Sequence, residues 1–307
     1  MADFKFLEDP VSKKWVVLAP RRAKRPDIAK TSSPLCPFCI GREKDEPELY
    51  RVGGEEGTSN WQIRVVPNKF PFAPIHEIII HSPDHHKNFE ELPEDQVELI
   101  FKTYRQRYNT HKTKGQVYVF HNRGEGGGES LPHPHTQLTV IPNEVKLEIP
   151  PLGPDSLSLS REETEKIETP YFLISSPITS QWPDEVWIYP RSGGRTFGDI
   201  LDEEISDLSS IVSGLIQILD LRHGHEFSFN FYIYPGKNWY LRIIPREKSL
   251  GGFEIGTGIF INTQDPRETM AFIKEHLSAK GGPASGWDRI NVEKIKKEHQ
   301  AEYEKSV

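Results

Sequence analysis

The chain has two cysteines and two methionines in 307 residues. No apolar run approaches the roughly 18 residues that a membrane span requires. Positive charge is not in excess: 38 Lys and Arg stand against 45 Asp and Glu, a net charge of −7. That balance argues against a general nucleic-acid or anionic-membrane surface, so any phosphate recognition has to be local and specific. The opening "MADFKFLEDP" lacks the apolar core of a signal peptide, and the expected compartment is the cytoplasm. So few cysteines exclude a disulfide framework. Both lie in "CPFC" as Cys36 and Cys39, a separation that points to metal or redox chemistry in a reducing compartment. With 27 % charged and 10 % aromatic residues the composition is that of a globular protein, and the length suggests about two domains.

The chain repeats itself. "EIIIHSPDHHKNFEELPEDQVELIFKTYRQRY" begins at Glu77 and "EVWIYPRSGGRTFGDILDEEISDLSSIVSGLI" at Glu185, an offset of 185 − 77 = 108. The same offset places Phe89 on Phe197, Leu92 on Ile200 and Val97 on Ile205. Each copy reads as a β-branched strand, a polar loop and an amphipathic helix. Val97, Ile100, Phe101, Tyr104 and Tyr108 share one helical face, and Ile205, Leu208, Val212, Leu215 and Leu219 share the other. Two further strand-like runs follow each helix: "QVYVF" and "QLTVIP", then "FSFNFYIY" and "YLRIIP". Between the copies, "PPLGPDSLSLSREETEKIETP" reads as a linker. The expected architecture is α+β, with two homologous halves, 1–165 and 166–307, each an antiparallel sheet with a packed helix.

The copies differ at one place. The first spends "GEGGGESLPHPHTQL", Gly124 to Leu138, where the second has only "KNWY" between Gly236 and Leu241. Histidines absent from one copy are not needed to close the fold, which favours chemistry. In an extended strand, His133, His135 and Gln137 project from one face while Pro134 and Thr136 project from the other. Imidazole serves as nucleophile, proton shuttle or metal ligand near neutral pH. The glycines permit positive φ and close approach, and their N–H groups are candidates to cradle a phosphate.

His-Pro-His-x-Gln after a Gly-rich turn, with "FHNRG" before it, resembles the galactose-1-phosphate uridylyltransferases, the transferase branch of the histidine triad superfamily. "APRRAKRP", "CPFC", "VVPNKFPF", "SPDHH" and "GGFEIGTGIFIN" follow the family in order, so the resemblance spans nearly the whole chain. It implies two histidine-triad-like halves, the second lacking the histidine motif. It also implies His135 as covalent nucleophile, with Gln137 hydrogen-bonded to the phosphoryl oxygens in place of a third histidine. Ser130 and Asn122 are implied as phosphate ligands, Arg22 and Arg25 as cations near the nucleotide sugar, and Asn68 as a nucleotide contact. Lys248 matches a lysine that contacts the sugar phosphate. Phe253 stands where some relatives have Tyr, which removes a hydroxyl contact to the hexose.

Cys36 and Cys39 supply half of a tetrahedral zinc site. The resemblance completes it with His85 and His133, giving one structural zinc. His76, His81 and His86 remain competitors on sequence alone. Some members hold a second metal through histidines of the C-terminal half. Arg242 and Ile244 stand at those places here, so that site is expected to be absent, although Glu148 matches its carboxylate. Glu129 stands before Ser130 where relatives often have Cys.

The implied reaction is ping-pong uridylyl transfer from UDP-glucose to a hexose 1-phosphate, galactose 1-phosphate first, in a homodimer with Lys248 acting across the interface. An ADP-glucose phosphorylase or related adenylyltransferase keeps the chemistry and changes the base. A non-catalytic nucleotide-binding module is the reading from another class, and a nucleotide hydrolase is disfavoured by Gln137. The implied partners are a nucleotide sugar and a sugar 1-phosphate, with neither nucleic acid nor membrane.

Overall fold

The computed structural model describes residues 4–24, 36–152 and 165–278. Ten strands form one antiparallel sheet. They are β3 (Tyr50–Val52), β4 (Ile63–Pro67), β5 (Ile75–Ile80), β6 (Gln116–Arg123) and β7 (His135–Ile141) in the first half. In the second half they are β8 (Ile167–Glu168), β9 (Phe172–Ser175), β10 (Val186–Pro190), β11 (Phe229–Ile233) and β12 (Leu241–Pro245). The order is β3-β4-β5-β7-β6-β11-β12-β10-β9-β8. Outward from the seam, β6-β7-β5-β4-β3 and β11-β12-β10-β9-β8 are the same arrangement twice, joined by antiparallel pairing of β6 with β11. The two halves read from the repeat are thus present, and they share one sheet. A separate hairpin, β1 (Lys5–Glu8) with β2 (Trp15–Leu18), precedes them. The linker falls largely at residues 153–164, outside the described residues.

Both long helices lie on one face of the sheet. α1 (Glu94–His111) starts with Glu94 and Asp95, and α2 (Asp202–His223) starts with Asp202, Glu203 and Glu204. Acidic first turns suit the positive end of the helix dipole. α2 stops at Gly224, whose φ of 93° closes the helix where a side chain would be strained. The predicted apolar stripes of α1 and α2 are all buried, and with Ile79, Val119, Leu138, Ile188, Phe231 and Ile243 they form one continuous core. Full burial of such side chains contributes about 1.5–3 kcal/mol each.

The offset of 108 holds for Phe89/Phe197, Leu92/Ile200 and Val97/Ile205, all buried in this core. It fails one strand earlier. Glu77 points to the helix face, where Arg107 of α1 binds it through Nε at 2.8 Å and Nη2 at 2.6 Å. Glu185 belongs to the opposite face, accepting from Arg242 Nη2 at 2.6 Å. Side chains alternate along a strand, so a slip of one residue exchanges the faces.

The second face of the sheet, free of the long helices, is where the halves diverge. The second half fills it with Trp182, Tyr189, Tyr232, Tyr240 and Ile244. The first half presents His135 and Gln137 there, beside a small cluster of Phe38, Trp61, Val66, Ile78 and Ile80.

Candidate active site and metal centre

β7 does what alternation demands. Leu138 and Val140 enter the helix-side core, and Thr136 donates to or accepts from Tyr104 of α1 at 2.5 Å. His135 and Gln137 face the other way, into a cleft. His133 ends the preceding loop and turns to the cysteines.

Cys36 Sγ, Cys39 Sγ and one ring nitrogen each of His85 and His133 lie within 4.8 Å of one another. His85 Nδ1 is 3.2 Å from Cys39 Sγ, and His133 Nδ1 is 3.8 Å and 3.7 Å from the two sulfurs. The other nitrogen of His133, Nε2, lies 2.9 Å from the carbonyl oxygen of Ser82. A carbonyl only accepts, so Nε2 carries the proton and the Nδ1 lone pair faces the sulfurs. Burial holds the His133 imidazole at about 4, well below its ordinary value, so it is neutral at pH 7. Two thiols and two imidazoles, one fixed in the ligand tautomer by a backbone carbonyl, suit a tetrahedral metal such as zinc. Burial and the neighbouring Cys39 push the Cys36 thiol up to about 11. The rival histidines are engaged elsewhere: His81 bonds Thr136 and Tyr104 on the helix side, and His76 bonds Gln137. His86 is absent from the cluster.

His135 obeys the same logic with the nitrogens exchanged. Its Nδ1 lies 2.8 Å from the carbonyl oxygen of His133, so Nδ1 carries the proton and Nε2 keeps its lone pair. The peptide at position 133 therefore orients the His135 ring, while the side chain of His133 joins the cysteines and His85. Behind the strand, His121 places Nδ1 2.9 Å from the carbonyl oxygen of His135. Burial depresses His121 to about 3, so it stays neutral and donates that hydrogen.

The cleft beside His135 has a volume of about 250 Å³. Phe38, Val66, Phe70 and Leu131 give it apolar walls, and Asn68, Ser130 and Gln137 supply polar groups. His76 Nε2 lies 2.9 Å from Gln137 Oε1 and 3.1 Å from Asn68 Nδ2, so one buried ring ties the two cleft amides in place. Asn68 is set by its own turn, its Oδ1 accepting from Phe70 N–H at 2.8 Å. Arg22 donates to the Phe70 carbonyl and stacks on Phe72 at 4.8 Å, which brings a guanidinium to the rim.

Asn122 stands beside His135 on the same face. Phe120 opposes Gln137, and two residues further along each antiparallel strand brings Asn122 to His135. Of the expected residues, His135, Gln137, Ser130 and Asn68 line one cleft, with Arg22 and Asn122 adjoining it. Arg25 lies outside the described residues. Lys248 and Phe253 do not line the cleft. Lys248 Nζ binds Glu254 at 3.2 Å and the Ile261 carbonyl at 3.0 Å, on a segment that exposes Phe253, Ile255, Ile259 and Ile261.

The glycine loop corrects one expectation. Its N–H groups are spent internally: Gly127 and Glu129 donate to the Gly124 carbonyl, Gly128 to that of Glu125, and Gly126 to Ser228 Oγ. Gly124, Gly126 and Gly127 are there for packing, and Gly128 for its φ of +78°. A Cβ on Gly127 would sit 2.2 Å from the Arg123 carbonyl oxygen, and one on Gly126 would sit 2.7 Å from that of Arg246. The loop is pressed against the second half and forms no open cradle of amides.

Sequence reasoning missed His76 as the residue that orients Gln137, and missed Phe38 and Leu131 as walls. His76, Ile78 and Ile80 share a face of β5, so strand alternation carried the signal for His76.

A ten-stranded sheet made of two like halves carries His135 over a cleft with Gln137 two residues on, and known proteins share this architecture. Residues 75–140 match the family described as galactose-1-phosphate uridyl transferase, N-terminal domain. The chain is 28 % identical to the ADP-glucose phosphorylase of Arabidopsis thaliana over 87 % of its own length and 92 % of that protein. It is 23 % identical to the galactose-1-phosphate uridylyltransferase of Thermotoga maritima, over 87 % and 96 % of the two chains. Among solved structures, the Arabidopsis ADP-glucose phosphorylase with bound ADP-glucose aligns with a TM-score of 0.69 at 27 % identity, covering 89 % of this chain and 99 % of that one. The chain is thus similar over most of its length to proteins of this kind, as its motifs imply. Among the described residues no helix is long and apolar enough to cross a membrane.

Proposed function

We propose that this protein moves a nucleoside monophosphate from a nucleoside diphosphate hexose to a phosphate acceptor through a covalent adduct on His135. The observation that carries the reading is the hydrogen bond from His135 Nδ1 to the His133 carbonyl, 2.8 Å long, which commits Nε2 to the cleft. In the first step the Nε2 lone pair forms a bond to the α-phosphorus, and the bond from that phosphorus to the bridging oxygen breaks. The hexose 1-phosphate leaves with the electron pair. In the second step an acceptor phosphate oxygen attacks the same phosphorus and the pair of the P–N bond returns to Nε2. The acceptor is already an anion, so neither step calls for a strong general base. Ser130, the Gln137 amide and Arg22 suit the charge spread over the phosphoryl oxygens. Cys36, Cys39, His85 and His133 would hold zinc, which when bound fixes the loop that presents the His133 carbonyl.

For the donor we favour ADP-glucose with inorganic phosphate as acceptor. The 28 % identity over most of both chains supports it more than the 23 % identity to a uridylyltransferase does. UDP-glucose with galactose 1-phosphate is the alternative. Initial rates with ADP-glucose plus phosphate, and with UDP-glucose plus galactose 1-phosphate, test the choice. A kcat/KM at least tenfold higher for the uridine pair would reverse it. We further infer that the exposed segment 250–261 packs on a second copy and brings Lys248 to the partner's cleft. Light scattering that gives a monomer at micromolar concentration, with full activity, would remove that part.

A further inference from the structure

Arg246 follows β12 and differs from the other buried or half-buried arginines of the second half. Arg242 is paired with Glu185, Arg195 with Glu204 and Arg222 with Asp184. Among the described residues no carboxylate pairs with Arg246. Its guanidinium stacks on Trp182 at 4.4 Å, Nη1 donates to Asn230 Oδ1 at 3.0 Å, and Nε is buried without a partner. Burial pulls the group below its usual range, with no anion acting against that. A desolvated cation without a counterion is costly, and such a cost is tolerated where an anion is due to bind.

Its position says which anion. The row on this face runs from His135 on β7 to Asn122 on β6 and then to Asn230 on β11. Asn230 Nδ2 donates to Asn122 Oδ1 at 2.8 Å, and Arg246 closes the row. Neighbouring strands are ~4.8 Å apart, so β7 to β11 is about 10 Å. The apolar cleft of Phe38, Val66 and Phe70 adjoins His135 from the β4 and β5 side. Arg246 lies on the other side, across the seam. A nucleotide held with its base in that cleft and its α-phosphorus at His135 directs whatever is bonded beyond that phosphorus towards Asn122 and Arg246.

We propose that Arg246, from the second half, binds the phosphate of the group that leaves the nucleotide in the first step and collects it in the second. The inference rests on the nucleotidyl-transfer reading of His135. The planar fork suits a phosphate held at two oxygens, and Trp182 fixes its plane. The seam between the halves is then part of the substrate site, and the second half contributes to recognition within the same chain.

The test separates the two half-reactions. A nucleoside 5′-phosphorimidazolide has imidazole as its leaving group, so it loads His135 without a second phosphate. Arg246→Met is expected to form the adduct from this probe within about threefold of the wild-type rate, and Arg246→Lys likewise. Discharge of that adduct to glucose 1-phosphate or to inorganic phosphate is expected to fall roughly 10- to 100-fold in Arg246→Met. Arg246→Lys should lie between. The acceptor that discharges the wild-type adduct faster identifies the phosphate as monoester or inorganic. Unchanged discharge in Arg246→Met overturns the proposal. So does an equal loss of loading and discharge, which marks a residue that merely holds the seam together. Failure of the wild type to form any adduct, or an adduct that survives His135→Ala, instead brings down the nucleotidyl-transfer reading itself.

Discussion

The two halves build the same five strands and the same helix layer, yet on the opposite face they part. The first places His135, Gln137 and Asn122 there. The second places Arg242, tied to Glu185 at 2.6 Å and to Tyr232 Oη at 3.1 Å, under the rings of Trp187 and Tyr232. One half has polar groups aimed at a cleft; the other, Arg246 apart, has its polar groups neutralised against each other. The helix-side core makes the fold, and the other face is free to be site or scaffold. A charged residue that has already found its partner is scaffold, and one that has not is a place for a ligand.

That contrast is open to attack at several points, starting with the largest effect. His135→Ala should lower nucleotidyl transfer by at least about a thousandfold with the melting temperature nearly unchanged, because the fold does not depend on the ring. A residual rate within tenfold would dissolve the distinction between the halves. Next is the metal. Cys36→Ser, or stripping with a strong chelator, should cut bound zinc from one equivalent to well under one. The melting temperature should drop by roughly 10 °C, and activity with it. Full activity and stability in zinc-free protein would make the cysteine pair an inert thiol pair.

The second half gives the converse case. Arg242→Met leaves Glu185 buried with its counterion gone, and should cost about 3–5 kcal/mol in denaturant unfolding. Turnover per folded molecule should stay within about twofold. A large fall in kcat with unchanged stability would place Arg242 among the reacting groups. The smallest effect concerns Glu129, whose carboxyl burial pushes up to about 7 while Gly124 N–H donates to it at 2.7 Å. A carboxyl raised in the folded state binds a proton there that the unfolded chain has released. Stability is therefore lost as pH rises from about 4.5 to about 7. Glu129→Gln should remove this slope and gain about 1 kcal/mol over the wild type at pH 8. Parallel stability curves from pH 5 to 8 would show that the carboxyl is not held neutral.

Much of this was written in the chain. The helical stripes of Val97 to Tyr108 and Ile205 to Leu219 and the i, i+2 alternation of His135 with Gln137 depend on period alone, and the structure keeps them. The Cys36, Cys39, His85 and His133 set came from the family pattern, since spacing could not choose among histidines that only folding brings together. Three things stayed hidden for physical reasons. The runs Ile78–Ile80 of β5 and Val186–Tyr189 of β10 are apolar on both faces, as strands are when a sheet is covered on two sides. The period of two is then invisible, and the one-residue slip between Glu77 and Glu185 cannot be seen. The glycines of 124–128 read as freedom to approach a ligand. What Gly124, Gly126 and Gly127 serve, close packing against Ser228, Phe229 and Arg246, depends on residues a hundred positions away. Arg246 is in the same position: nothing in "IIPREK" says that a guanidinium will lack a carboxylate.

Nucleotidyl transfer through His135 turns on a covalent bond at one nitrogen, and intact mass spectrometry tests that most directly. The protein is mixed with ADP-glucose or UDP-glucose without acceptor, and hexose 1-phosphate release is followed in the same sample. The prediction is one equivalent of release with a mass gain of one nucleoside monophosphate, lost in His135→Ala and discharged by added acceptor. Turnover with acceptor but no mass gain from either donor, or a mass gain that persists in His135→Ala, would contradict it.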